Sequence, residues 1–346
     1  MKKILLIGPY GLGNTILALP AMNAVREHFP ECQIDLVTLL PSAYSLTQLL
    51  PDFKFLDHVF FLNFKEKISA LKTIYKLRKI NYDFSVLFFP SARIHYNLIS
   101  FMLGAEKRIA SLYPDVNFKR AHFLNHINVP VVEGVHDTIQ NLLMLEPLGI
   151  KINKNKPVKL YSEIAKKNKK NIIGVHPGSK REAYYKKWDR ENYVDLIYKI
   201  IQNTDFELRI FFGPDEADDA EFFKNNLNNK RIIFVENKSL GEVVDLINEC
   251  RIFVSNDSGL AHIANFLGVY NIVINGPSDF RRTSPTNHPF TVLYNKDLSC
   301  IPCSHTYKVA SHKFKCIYND IRCLKTISVD EVFQAVKNAE NIKIVI

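Results

Sequence analysis

The 346-residue chain reads as an α/β protein built from two doubly wound, Rossmann-like parallel-sheet domains. Three observations lead there. Short apolar runs alternate with stretches of helical periodicity, the alternation begins twice, near Lys3 and again near Asn171, and turns containing Gly, Pro or Ser recur directly after the apolar runs.

The first half opens with a strand over 3–8, a Gly-rich turn, a helix over 14–28 and a strand over 33–39, with Pro30 and Glu31 marking the break between the last two. Apolar runs at 59–62 and 84–89 fit buried parallel strands. A helix over 96–103, ended by Gly104, leads to Lys107-Arg108-Ile109. The second half restarts with strands expected at 171–176, 207–212, 231–235, 252–255 and 271–275, and helices at 190–202, 216–226 and 240–248. The domains are therefore drawn as 1–160 and 161–346, a division that the chain length favours.

Hydrophobic residues make up 47% and charged residues 23%, an ordinary globular balance, and no segment is long and apolar enough to span a bilayer. The opening MKKILLIG resembles a signal peptide only until Gly8-Pro9-Tyr10-Gly11 interrupts it, so a first strand and a cytoplasmic protein are expected. The net charge of +10 is uneven: residues 151–170 carry eight Lys against one acid, whereas residues 171–346 are balanced at 22 each. That Lys-rich stretch reads as a solvated linker or exposed helix between domains. In 65–79, Ile68, Leu71, Ile74, Tyr75 and Leu77 recur at roughly helical spacing among seven charges, six of them positive. Such a helix either lies on an anionic membrane surface, placing the protein peripherally on the inner membrane, or is a surface helix with one buried face. No helix-turn-helix, RNP-type or zinc-finger spacing supports nucleic-acid binding.

Four of the six cysteines, Cys300, Cys303, Cys316 and Cys323, follow a C-x2-C-x12-C-x6-C spacing compatible with a structural zinc knot, with His305 and His312 as rival ligands. Four free thiols are the alternative reading.

In a doubly wound sheet, ligands sit beyond the carboxyl ends of the strands. The turns after the predicted strands are the places to look. Ser255-Asn256-Asp257-Ser258-Gly259-Leu260-Ala261-His262 follows the run Ile252-Phe253-Val254 and opens a helix. Ser258 and Gly259 would present backbone N–H groups at the positive end of the helix dipole, an anion cradle bracketed by Asp257 and His262. A plain helix cap is the bland alternative. His176-Pro177-Gly178-Ser179, Gly213-Pro214-Asp215-Glu216 and Gly276-Pro277-Ser278 also follow strands, and together they suggest a cleft. The first turn, Gly11-Leu12-Gly13-Asn14 with Asp35 further on, resembles the start of a dinucleotide fingerprint, but Ile16 stands where the third Gly belongs, which argues against an NAD-dependent oxidoreductase. Asn14 offers an amide to a ligand there, or else caps the helix.

In this order, these pieces resemble glycosyltransferase family 9, which includes the lipopolysaccharide ADP-heptose heptosyltransferases. The resemblance rests on Gly11-Leu12-Gly13-Asn14 with Leu19-Pro20-Ala21, on His176-Pro177-Gly178-Ser179 with Lys186-Lys187-Trp188, on Asp257 through His262, on Asn275-Gly276-Pro277-Ser278-Asp279 with Thr283-Ser284-Pro285, and on Cys300-Ile301-Pro302-Cys303. It implies a GT-B architecture and inverting, metal-independent transfer from a nucleotide sugar, ADP-heptose foremost, to a lipopolysaccharide or lipooligosaccharide core or other surface glycan. The C-terminal domain would hold the donor through Ser179, Lys186, Glu216, Asp257, Ser258, Gly259 and His262. Lys186 would stand beside the diphosphate, Asp257 at the sugar hydroxyls and Glu216 at the ribose. The N-terminal domain would hold a glycolipid or oligosaccharide acceptor near Gly13, Asn14, Arg93 and His95. The family commonly carries Asp where this chain has Asn14, and that Asp is the expected general base. An amide cannot take up the acceptor's proton near neutral pH. His95 and Asp137 are candidate replacements, and a nucleotide-sugar-binding homologue with weakened catalysis is the alternative.

Overall fold

The computed structural model describes residues 2–8, 11–114, 120–153, 162–179, 181–286, 289–304, 315–340 and 342. The chain divides into two compact units, Met1–Val158 and Lys159–Ile346.

Unit 1 runs β1 (Lys3–Ile7), α1 (Leu12–His28), β2 (Gln33–Thr38), α2 (Pro41–Leu49), β3 (His58–Phe61), α3 (Lys67–Arg78), β4 (Phe84–Leu87), α4 (Ile94–Leu103), β5 (Lys107–Leu112), β6 (Ile127–Pro130) and α5 (Asp137–Leu143). Its strands form one parallel sheet in the order β3-β2-β1-β4-β5-β6. β1 is central, and its Ile4-Leu5-Leu6-Ile7 run is wholly buried, as a strand covered on both faces requires. α1 starts at Leu12, two residues earlier than its periodicity suggests, because Gly11 takes the N-cap position at φ 128°, a conformation that disfavours a β-carbon. Gly13 and Asn14 therefore lie inside the first turn, and the reading of Asn14 as the cap is corrected.

α3 is a surface helix with one buried face, the second of its two readings, but that face takes only part of its apolar residues: Ala70, Ile74 and Leu77 are buried, whereas Ile68, Leu71 and Tyr75 are exposed. The two sets each follow helical spacing but start two residues apart, which turns them onto different sides of the helix. α4 ends at Gly104, whose φ of 74° gives the left-handed terminus that its sequence position predicts.

Unit 2 runs β7 (Ile172–His176), α6 (Arg190–Asn203), β8 (Glu207–Phe211), α7 (Ala217–Asn226), β9 (Ile232–Val235), α8 (Leu240–Asn248), β10 (Ile252–Asn256), α9 (Gly259–Phe266), β11 (Tyr270–Ile274), α10 (Phe280–Thr283), β12 (Phe290–Leu293), α11 (Arg322–Lys325) and α12 (Val329–Glu340). The order β12-β11-β10-β7-β8-β9, again all parallel, is the winding of unit 1 repeated: two strands grow outward on one side of the first strand and three on the other. The core gathers Trp188, Tyr193, Phe206, Phe223 and Val336, and the Trp188 Nε1–H donates to the Ile327 carbonyl at 3.0 Å. α12 packs on α6.

From Ser162 to Lys170 the Lys-rich stretch is anchored on unit 2, although Lys166, Lys167 and Lys170 are exposed. Ser162 N–H donates to the Phe266 carbonyl, Lys166 N–H to Asn248 Oδ1, and Lys169 Nζ to the Asn248 and Leu267 carbonyls at 2.9 and 2.7 Å. Burial pushes the Lys169 ammonium down to about 8, with Cys250 opposing and Lys166 adding to the shift. Three backbone and side-chain oxygens hold the ammonium of a residue that charge counting had assigned to water. No helix among the described residues is long and apolar enough to cross a membrane.

Candidate functional site

In unit 2, the winding reverses between β7 and β10, which are hydrogen-bonded neighbours with Ser255 paired to His176. The segments leaving their carboxyl ends therefore start side by side and run apart, opening a crevice at the sheet edge. Those segments are Pro177-Gly178-Ser179 and Asp257-Ser258-Gly259.

Asn256, the last residue of β10, is fully buried and uses its whole hydrogen-bonding capacity. Its Oδ1 accepts from Trp188 N–H at 3.0 Å and Tyr193 O–H at 3.1 Å, and its Nδ2 donates to the Pro177 and Gly178 carbonyls at 2.7 and 3.2 Å. One amide thus ties the loop after β7 to the segment entering α6. That segment carries Lys186, whose ammonium lies 2.6 Å from Asp257 Oδ2, with the two side chains only 12% and 11% exposed. Beside it, Lys187 pairs with Asp219 at 2.6 Å.

Ser258 occupies the N-cap position of α9 but makes no side-chain cap. Its Oγ instead stands 3.2 Å from His176 Nδ1. The Ser258 hydroxyl is turned toward the β7 loop, and the first-turn N–H groups of α9 do not receive it. Gly259 begins the helix and His262 is buried one turn on.

The other nitrogen of His176, Nε2, lies 3.4 Å from Glu216 Oε2, which also accepts from Gly213 N–H at 2.7 Å. Burial alone would raise the Glu216 carboxyl, but the His176 hydrogen bond and charge, the Gly213 N–H and nearby Lys187 together outweigh it and hold the group below the ordinary carboxylate range. Gly178 is required at this point. A β-carbon there would fall 1.8 Å from Glu216 Oε1. Ser179 donates its hydroxyl to the Ala183 carbonyl at 2.8 Å, which folds the loop back before Lys186.

The structure thus brings Lys186, Asp257, Ser258, Gly259, Glu216 and Ser179 to one edge of unit 2. Sequence reasoning missed the roles of His176 and Asn256, although both were visible as polar residues ending otherwise apolar strands, which is an unfavourable place for a polar side chain without partners.

In unit 1, the winding reverses between β1 and β4. Gly13 and Asn14 head α1 after β1, and Arg93 and His95 head α4 after β4, so all four share that edge. Arg93 is the N-cap residue, and both it and His95 are exposed. Partial burial and the Arg93 charge lower the His95 pKa, which favours the neutral imidazole at neutral pH. Asp137 is instead buried at the start of α5, which packs on α1. Asp35 does not reach the edge at all. It sits within β2, pairs in register with Leu5 of β1, and accepts from Tyr82 O–H and Gln33 Nε2 while facing His58 Nδ1 at 3.0 Å. An acid committed to the sheet interior cannot hold a ribose, so the dinucleotide reading of the first turn loses its second element as well.

Cys300, Cys303 and Cys316 are partly exposed and Cys323 is buried. Burial, followed by the charges of the neighbouring thiols, pushes Cys303 up to about 11 and Cys323 up to about 12. The loop holding Cys303 is stitched to the turn after β11, with Cys303 and Ser304 N–H both donating to the Pro277 carbonyl. Among the described residues, no group of three or more His, Cys, Asp or Glu is arranged to hold a metal ion. His305 and His312 lie outside the described residues.

Comparison with known proteins gives a consistent answer. Residues 76–313 match the model of glycosyltransferase family 9 (heptosyltransferase). The chain is 26% identical to lipooligosaccharide heptosyltransferase 2 of Campylobacter jejuni subsp. jejuni serotype O:2, across 97% of this chain and 98% of that protein. Among solved structures, it resembles Escherichia coli ADP-heptose LPS heptosyltransferase II, with a TM-score of 0.71, 17% identity and 98% of each chain covered. It also resembles the E. coli heptosyltransferase WaaC with ADP, with a TM-score of 0.69, 13% identity, and 97% and 99% covered. The paired Rossmann-like units are the GT-B fold of those structures. Family model, full-length relative and fold agree with the turns at the two sheet edges, and the chain belongs to glycosyltransferase family 9, the heptosyltransferase family.

Proposed function

We propose that the protein transfers heptose from ADP-heptose to a lipopolysaccharide or lipooligosaccharide core acceptor, with inversion at the anomeric carbon and without a catalytic metal. The observation that carries this reading is the Lys186–Asp257 pair at the head of α9, on the strand switch of unit 2. Cleaving a nucleotide sugar leaves negative charge on the departing diphosphate, and that charge needs stabilisation already in place. Here an almost buried ammonium and a helix N-terminus offer it, the two features that can take over the role of a divalent cation. The full-length Campylobacter relative, described as a lipooligosaccharide heptosyltransferase, supports the sugar and the acceptor class.

In this reading the diphosphate lies against Lys186 and the Ser258 and Gly259 N–H groups, Asp257 receives sugar hydroxyls, and Glu216, kept ionised, receives the ribose hydroxyls. His262 and Ser179 line the same edge. The acceptor oxygen forms its bond to the anomeric carbon as the bond to the diphosphate breaks, and the bonding pair leaves with ADP. The acceptor binds unit 1 at Gly13, Asn14, Arg93 and His95. Its proton passes to a group other than Asn14, and His95, neutral and on the same edge, is the candidate the geometry favours over the buried Asp137. A glycolipid acceptor makes the inner-membrane surface the working place of the enzyme. A structural zinc on Cys300, Cys303, Cys316 and Cys323 is a separate proposal that rests on their spacing.

The deciding experiment is a donor panel of ADP-, GDP- and UDP-sugars, read by thermal shift and by transfer to a heptose-deficient core in the presence of EDTA. Selective stabilisation and transfer with ADP-heptose is expected. Binding without transfer would establish instead the weakened homologue that the amide at Asn14 motivates, and no response to any nucleotide sugar would sink the proposal.

A further inference from the structure

α3 and α4 are packed neighbours on one face of the unit 1 sheet, joined where Arg78 Nη1 donates to the Met102 carbonyl at 3.3 Å. Each turns a second apolar stripe to solvent. On α3 the stripe is Ile68, Leu71 and Tyr75, 74%, 62% and 62% exposed; on α4 it is Ile94, Leu98 and Phe101. Phe64, just ahead of α3, and Phe123, on the short turn packed against α4, are exposed as well. Scattered exposed apolar residues need no explanation, but six on two adjoining helices, with Phe64 and Phe123 beside them, form a patch of the kind that marks a contact surface.

The surroundings identify what it contacts. Viewed down α3, the exposed stripe is bordered by Lys67 and Arg78 on one side and by Lys72, Lys76 and Lys79 on the other, with Lys65 just ahead of the helix. α4 carries no charged residue, and Arg108 lies over the Phe101 ring at its far end. Glu66 is the single acid in 65–79. An apolar stripe flanked on both sides by long cationic side chains matches an anionic bilayer: the stripe enters the acyl boundary while the lysines extend to the headgroups. A symmetric dimer through the same face would set these cations against their own copies, which the surface charge opposes.

We infer that α3 and α4 form the surface by which this protein docks on an anionic lipid bilayer, with Ile68, Leu71, Tyr75, Ile94, Leu98 and Phe101 inserted and the α3 lysines at the headgroups. Ile94 directly adjoins Arg93 and His95 at the carboxyl edge of the sheet. Docking there places that edge beside the membrane, where a sugar carried on a lipid can reach it while the lipid stays in its leaflet. This use of the surface rests on the glycolipid reading given above, whereas the docking itself does not.

The experiment is flotation of the full chain with vesicles of phosphatidylcholine, with and without phosphatidylglycerol, at low and high salt. Binding only to the anionic vesicles, weakened by salt, is expected. The Leu71→Glu/Leu98→Glu variant, altered at two exposed positions and checked for folding by circular dichroism, loses at least about tenfold in vesicle affinity. It keeps wild-type turnover on a lipid-free acceptor. Leu98→Trp adds an independent signal, because Trp188 is the sole native tryptophan and is buried, so a blue shift on anionic vesicles reports insertion at position 98. Equal binding to neutral vesicles, unchanged binding by the double variant, or no shift at position 98 would each overturn the inference. So would a wild-type dimer that the double variant dissolves and that ignores vesicles. Because flotation requires no sugar transfer, loss of the heptosyltransferase reading would leave the docking result standing, and the reverse also holds.

Discussion

Lys186 Nζ and Asp257 Oδ2 lie 2.6 Å apart on segments that leave different strands, and the pair is almost closed to solvent. The ammonium is thus already held in position, and a diphosphate entering here would share it with the carboxylate. Lys186→Ala leaves the Asp257 carboxylate facing the donor phosphates without a cation. A fall of about 100-fold or more in kcat/KM for ADP-heptose is expected, measured under steady-state conditions with the folded variant. Near-unchanged kinetics would remove Lys186 from the site.

Gly178 and Glu216 make a second dependent pair. In Gly178→Ala the new methyl group overlaps the carboxylate, which must then leave His176 and the Gly213 N–H. A destabilisation of about 1–3 kcal/mol is expected from denaturant midpoints. Adding Glu216→Ala should recover part of that loss, and a purely additive double variant would show that the two side chains do not compete for this space.

Glu249 gives a pH signature. Hydrogen bonds from Lys170 and Arg209 hold its carboxyl down to about 2 against an ordinary 4.5, with burial opposing. A depressed carboxyl contributes stability that is complete above pH 4.5 and is lost as pH falls toward 2. Glu249→Gln, which strips the nearly buried Arg209 of its ionic partner, should cost about 2 kcal/mol at neutral pH, and the difference from the parent should shrink across that acid window. A pH-independent difference would assign the loss to packing.

Asn14→Asp tests the acceptor side. If Asn14 faces the attacking hydroxyl, the carboxylate adds a base and turnover rises by about tenfold or more, with a new acidic limb in the pH profile. Unchanged turnover would place proton removal elsewhere, and His95→Gln would then be the variant expected to lose activity.

For Cys300, Cys303, Cys316 and Cys323, metal analysis of the purified protein is direct. Zinc near one equivalent, with a lowered melting temperature after chelation, is the outcome a structural site requires. Metal far below one equivalent leaves four thiols.

Much of the fold was legible because parallel strands buried on both faces must be apolar runs, and Ile4 through Ile7 or Ile252 through Val254 can hardly be anything else. One edge strand of each sheet, β6 and β12, was not. β6 is four residues ending in Pro130, and β12 is four residues following Pro289, too short and too interrupted to produce a periodic signal. At the edge of unit 2, turn chemistry exposed the loops, but the residues that hold them together appear only in the fold. Asn256 bonds to Pro177 and Trp188, separated from it by 79 and 68 positions, and no local pattern encodes such a pairing. Charge counting likewise misjudged Lys169, because an ammonium that finds three oxygens looks, in a sequence, like any other lysine in a basic run.

The placement of β10 also fixes when the site can exist. As unit 2 leaves the ribosome, β7, β8 and β9 can pair in succession, yet β7 then has one neighbour and an open inner edge. β10 closes that edge, and only then does Asn256 reach Pro177 and bring Asp257 opposite Lys186. Assembly of this edge is therefore a late event in the folding of unit 2, one that waits for β10 to enter the sheet. In refolding, a fluorescent ADP analogue should respond with the slow, long-range phase and not with early collapse.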